Sequence, residues 1–170
     1  MTIDNSKSNH QSPIINCQIP HNWDDYYGYR QLTHGNLHGT AMYVKDFSLD
    51  NCPLSTVNSQ LKKRYFLRFE GVGTYASIKV NGHDFGRYPV GRTTLTLDVT
   101  DALKQGTNRL EVKAEHPEMI ADMPWVCGGC SSEWGFSEGS QPLGIFRPVV
   151  LEATDEIRIE PFGVHIWNDE

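Results

Sequence analysis

The stretch TYASIKVNGHDFGRY leaves the chain little choice of local structure. Tyr75, Ser77 and Lys79 alternate with Ala76, Ile78 and Val80, the two-residue period of a strand whose faces meet different surroundings. Asn81-Gly82 then interrupts the run. That pair tolerates two successive positive φ angles, so the chain is predicted to turn back on itself as a tight hairpin.

The same period recurs along the chain. Between Gly39 and Leu49 it picks out Met42 and Val44, then, after a change of register, Phe47 and Leu49. Tyr65, Leu67 and Phe69 oppose Phe66 and Arg68; Leu95, Leu97 and Val99 oppose Thr94, Thr96 and Asp98; Leu110, Val112 and Ala114 follow. GIFRPVVLEAT and EIRIEPFGVHIW complete the set. The only helical signal is TDALKQG, one turn with Thr100 as N-cap and Gly106 as stop. About eight strands with almost no helix predict an all-β chain, a sandwich or barrel burying one face of each strand.

A length of 170 residues suits one domain with its own core. We expect residues 1–13, which are polar, to form a disordered tail and residues 14–170 to form a single domain. The sequence ends just after an apolar run, VHIW, the ending expected of a domain cut from a longer polypeptide. The first residues lack the apolar stretch of a secretion signal, which leaves cytoplasm and periplasm both open. A net charge of −6 argues against nucleic acid or an anionic membrane as partner, since both require clustered cations. No apolar run approaches the length that spans a bilayer.

Two stretches escape the periodicity. Between His116 and Gly144 lie about 27 residues, beyond the usual length of a structureless connection in a compact domain. They hold Met119, Met123, Trp125, Trp134 and Phe136, residues that gain by burial. The second, His21 to Gly39, carries Trp23, Tyr26, Tyr27 and Tyr29 beside Asp24 and Asp25. Two aromatic, acidic loops on a β scaffold read as a ligand-binding rim. Packing of the same aromatics into a satellite core that pins the loops is the competing reading.

The first loop also contains WVCGGC. Zinc needs four ligands, and only Cys127 and Cys130 come as a pair. His34 and His38 have metal-like spacing, but Gly35 and Gly39 deny them a common helical face. No helix follows the cysteines to lower a thiol pKa, as a redox motif requires. A short-range disulfide or two thiols shaping the turn is the expectation, with no metal site. Asp24, Asp25 and Asp122 are the candidate oxygen ligands for a structural Ca²⁺, without the spacing of a calcium loop. No cofactor is expected; no phosphate-binding or nucleophile-elbow motif occurs.

Taken together, IPHNWDD, HGTAMYVKDF, RYFLRFEGVGTYASIKVNGHDFGRYPVG, LTLDVTDALKQGTNRLEVKAEH and LGIFRPVVLEATDEIRIEPFGVHI resemble the N-terminal sugar-binding domain of glycoside hydrolase family 2. That family holds β-galactosidases, β-glucuronidases and β-mannosidases. The resemblance spans nearly everything after Pro13 and is most specific in FEGVGTYASIKVNG and in the G-I-x-R strand, GIFRPVVLE.

The resemblance implies a jelly-roll β-sandwich of the galactose-binding-domain-like class, followed in the family by an immunoglobulin-like domain and a TIM barrel. The family's catalytic acid and nucleophile are glutamates on that barrel, held about 5–5.5 Å apart for retaining hydrolysis. With no βα alternation in this sequence, the chain by itself is not expected to hydrolyse a β-glycoside.

It further implies that a loop of this domain offers a carboxylate to substrate hydroxyls, six positions before the glycine of G-I-x-R. Glu138 stands there; the family's common residue is Asp, so the side chain is one methylene longer. A carboxylate suits the task because a charged acceptor takes several sugar O–H bonds strongly. Trp134, Trp125, Asp122 and Asp25 are the further candidate substrate contacts, and Arg147 is expected to tie loop carbonyls or an acidic group at the domain edge. The alternatives are a free-standing carbohydrate-binding module, with Trp23, Tyr26, Tyr27, Trp125 or Trp134 as stacking platform, and a purely structural adhesion-type sandwich.

Overall fold

The computed structural model describes residues 2–4, 15–23, 38–50, 63–117 and 142–168. Within them the chain forms β1 (Thr2–Asp4), β2 (Ile15–Asn16), β3 (Gly39–Ser48), β4 (Arg64–Phe69), β5 (Val72–Val80), β6 (His83–Gly91), β7 (Leu95–Asp98), β8 (Thr107–His116) and β9 (Val149–Thr154), with one 3₁₀ turn at Thr100–Ala102. A six-stranded sheet runs β2-β1-β3-β8-β5-β6 and a three-stranded sheet runs β7-β4-β9. The expected β-sandwich of the galactose-binding jelly-roll class is what forms.

The two sheets bury complementary faces. From the larger come Ala41, Tyr43, Ala76, Ile78, Val80, Leu110, Val112 and Ala114; from the smaller, Tyr65, Leu67, Phe69, Leu97 and Val99. β8 shows the alternation most cleanly, with Asn108, Leu110, Val112, Ala114 and His116 all buried. It lies between β3, with Gly39 opposite His116 and Ser48 opposite Thr107, and β5, with Tyr75 opposite Glu115.

The hairpin turns where the sequence requires. Asn81 and Gly82 have φ of 51° and 83°, the left-handed pair of a type I′ turn. Asn81 also ties the hairpin to its neighbours: its Oδ1 accepts from the Arg109 amide at 2.9 Å, and its Nδ2 donates to Asn108 Oδ1 and the Ala102 carbonyl, both at 2.8 Å. Asn108, fully buried, is satisfied in turn by the Lys104 amide and the Lys104 and Gly106 carbonyls. A buried amide side chain persists only when so partnered.

Four local expectations are corrected. In β3 the inward residues are Ala41 and Tyr43, while Met42 and Val44 are half-buried on the opposite face. Tyr43 goes inside because its hydroxyl finds polar partners there, described below. Thr100 lies within the 3₁₀ turn instead of capping it, and the turn has no side-chain cap at Val99. Asp98 Oδ1 accepts from the Thr100 amide at 3.0 Å, leaving the Thr100 hydroxyl to accept from the Tyr65 amide at 2.9 Å. Thr2–Asp4, inside the segment expected to be a disordered tail, pairs with both β2 and β3; Thr and Ile are strong strand formers. EIRIEPFGVHIW, expected as a strand, has no ladder partner among the described residues.

Candidate functional site

The two long connections leave and return at shared posts. The amide of His21 donates to the Ile145 carbonyl at 2.7 Å and that of Trp23 to the Leu143 carbonyl at 2.9 Å, while Asn22 Oδ1 accepts from the Leu143 amide at 3.1 Å. Residues 21–23 therefore form a seam along residues 143–145. The connection 24–37 departs from this seam, and the connection 118–141 returns to it.

The other two ends are paired as well. His38 Nδ1 donates to the Pro117 carbonyl at 3.0 Å, and its ring lies 4.9 Å from that of His116, which is fully buried. Gly39 faces His116 in the β3–β8 ladder, so connection 24–37 returns where connection 118–141 departs. Both are rooted side by side, at both ends, on one end of the sandwich.

Tyr43 and two glycines bring the posts together. The buried Tyr43 hydroxyl shares a hydrogen bond of 2.9 Å with His21 Nδ1 and accepts from the Ile145 amide at 3.4 Å. Burial pushes its phenol far above the ordinary value of 10.0. Trp23 meets the His21 ring edge-on at 5.0 Å and packs against the core cluster. Gly144, the glycine of the G-I-x-R stretch, pairs with Gly73 and has φ of 129°; a Cβ there would lie 2.4 Å from the Tyr43 hydroxyl and 2.8 Å from the His21 carbonyl. Only glycine fits between the seam and the sheet.

Glu138, Trp134, Trp125, Asp122, Asp25, Cys127 and Cys130 lie outside the described residues, as do Asp24, Tyr26, Tyr27 and His34. Arg147 is exposed; its Nη1 donates to the Arg92 carbonyl at 3.2 Å and its guanidinium lies 5.8 Å from the Phe146 ring centroid. Among the described residues no group of three or more His, Cys, Asp or Glu is placed to hold a metal ion. Sequence reasoning missed His21, Asn22 and Tyr43; they carry no local signal, because their meaning lies in contacts across 22 to 121 residues of sequence.

Residues 22–123 match the family described as glycosyl hydrolase 2 galactose-binding domain-like. The chain belongs to that family. Among curated relatives, a beta-glucuronidase of Bacteroides fragilis is 35% identical over 100 residues, 58% of this chain and 13% of its own length. A beta-galactosidase of Actinobacillus pleuropneumoniae is 25% identical over 157 residues, 89% of this chain and 14% of its own length. Among solved structures, an FMN-binding beta-glucuronidase from Facaelibacterium prausnitzii L2-6 superposes with a TM-score of 0.69 at 19% identity, over 95% of this chain and 23% of that one. A Bacteroides uniformis beta-glucuronidase gives 0.63 at 20% identity, over 89% and 17%. This galactose-binding-like domain spans about an eighth of the length of the curated relatives it matches.

Proposed function

We propose that this chain is the non-catalytic, N-terminal sugar-binding domain of a family 2 glycosidase, and that its two long connections complete the substrate site of a separate TIM-barrel domain. The double rooting of connections 24–37 and 118–141 carries the reading. The flanking residues of both connections meet at common posts, His21 and Trp23 on residues 143–145 and His38 on Pro117, and the sequences between them are rich in aromatic and acidic residues. Glu138, six residues before the seam glycine Gly144, is the carboxylate assigned to the sugar hydroxyls.

The carboxyl-terminal segment supports the multidomain part of the reading. Ile157, Ile159, Phe162, Val164, Ile166 and Trp167, six large apolar residues within eleven positions, are 63–92% exposed, a concentration of the kind that marks a surface covered by another domain. The immunoglobulin-like and barrel domains of a longer polypeptide are the partners proposed, with a β-glycoside as substrate. Trp23, a candidate platform residue of a free-standing module, is half-buried and packs against His21 and the core cluster instead of lying open for stacking.

The test compares the 170-residue chain with the longer polypeptide that contains it, on a panel of nitrophenyl β-glycosides. The chain alone is expected to release no nitrophenol and the longer polypeptide to release it. Turnover by the chain alone would overturn the proposal.

A further inference from the structure

The larger sheet has six strands and the smaller three, with β9 at one end of the smaller sheet's order. Between their inner faces, on the β9 side, lies a groove of about 420 Å³, a volume within the range of small-ligand sites. Phe47 and Leu110 of the larger sheet form one wall; Leu67, Val149 and Leu151 of the smaller form the other, and residues 17–19 complete the lining. The groove shares no residue with the seam at 21–23 and 143–145, or with the exposed apolar residues from Ile157 to Trp167.

Lys45 breaks the pattern of this lining. Positions 41, 43, 45 and 47 share the inward face of β3. The β3–β8 ladder sets Tyr43 against Val112, Lys45 against Leu110 and Phe47 against Asn108, and all three partners are buried. Ala41, Tyr43 and Phe47 pack with the core, whereas Lys45, between them, is exposed and lines the groove.

The ammonium has no anion of its own. Asp46, on the opposite face of β3, pairs with Arg109 at 3.4 Å, and among the described residues Lys45 forms no ion pair. Burial pushes the Cys17 thiol above its ordinary value of 9.0, so it stays neutral, and Lys45 is the one charge among the described lining residues. A cation at an inward strand position, facing apolar walls, contradicts the local rule that the rest of β3 obeys. Such departures concentrate at sites with a purpose beyond the fold.

We propose that this groove binds an amphiphilic monocarboxylate, its apolar chain between Phe47, Leu110, Leu67 and Leu151 and its carboxylate on the Lys45 ammonium. Charge complementarity selects the head group: one cation matches one anion, and a charged acceptor makes the stronger hydrogen bond. The walls select the tail, because they gain by removing its apolar surface from water. They also exclude a saccharide, since they offer no array of donors and acceptors to its hydroxyls. The site stands apart from the rim of the proposed function, and either can fail without the other.

The experiment titrates the ¹⁵N-labelled 170-residue chain with decanoate below its aggregation concentration, beside 1-decanol, decyltrimethylammonium and acetate. Decanoate is expected to give saturable shifts at Phe47, Leu67, Leu110 and Leu151, and to bind about fivefold or more tightly than decanol or the cationic amphiphile. Acetate, which lacks a tail, should give none. In Lys45→Met, decanoate should weaken about fivefold or more while decanol stays within about twofold, and Lys45→Gln should repeat the loss. Both substitutions replace an exposed side chain and are expected to melt within about 2 °C of the parent. Four outcomes overturn the proposal: no saturation by decanoate, decanol binding as tightly as decanoate, unchanged decanoate affinity in both Lys45 variants, or shifts confined to residues outside the groove. Calorimetry then repeats the decanoate titration on the longer polypeptide. Retained affinity is expected there; its loss would assign the groove to a contact between domains and also overturn the proposal.

Discussion

Gly73 and Gly144 face each other across a pair of backbone hydrogen bonds, 2.9 Å from the Gly73 amide and 3.4 Å from the Gly144 amide. This single bridge joins the start of β5 to the end of connection 118–141 and lets the His21–Trp23 seam lie against it. Everything proposed for the rim depends on that close approach.

Gly144→Ala is therefore expected to destabilise the domain by at least about 2 kcal/mol, since its Cβ would meet the Tyr43 hydroxyl and the His21 carbonyl well inside contact distance. Urea unfolding followed by tryptophan fluorescence measures it. Gly82→Ala is the control: its Cβ would have no atom within 4 Å, leaving only the left-handed strain of φ 83°. Its loss is expected to be about 1 kcal/mol.

Tyr43→Phe removes the hydroxyl that joins His21 to Ile145, and is expected to cost about 1–2 kcal/mol at neutral pH. It also changes the alkaline limb. Because burial raises the folded phenol above 10.0, its contribution is intact below that pH and is lost as pH climbs beyond it. Urea midpoints between pH 9 and 11.5 should fall for the parent and fall less for the variant.

Asp98 acts at the other extreme. Burial pushes its carboxyl upward, but the hydrogen bonds from Thr100 and Arg64 outweigh it and hold the group below its ordinary 3.8. Such a group stabilises the fold above its unfolded pKa and ceases to as pH falls through the folded value. Asp98→Asn should lower the midpoint at pH 6 and bring variant and parent closer together at pH 2.5.

How much was legible follows from where the information sits. The β5–β6 turn was readable because Asn81-Gly82 fixes it within two residues. β8 was readable because each inward position is apolar or small apart from Asn108 and His116. β3 was read in the wrong phase: a two-class pattern ranks Met42 and Val44 above Tyr43 and cannot see that a phenol is welcome where an imidazole and an amide await it. The alternation of residues 157–166 is real, but alternation does not supply a ladder partner, and none is present among the described residues. Of the site, the unusual connections were visible as broken periodicity. Their common posts were not, because His21 against Ile145 and His38 against Pro117 are relations between distant segments.

The most direct measurement is kcat/KM for Glu138→Ala in the longer polypeptide, with thermal unfolding of the same variant as control. Loss of a charged acceptor for sugar hydroxyls should reduce kcat/KM by about tenfold to a hundredfold while the melting temperature stays within about 1 °C. A value within about twofold of the parent, in a variant that folds normally, would contradict a rim that completes the sugar site.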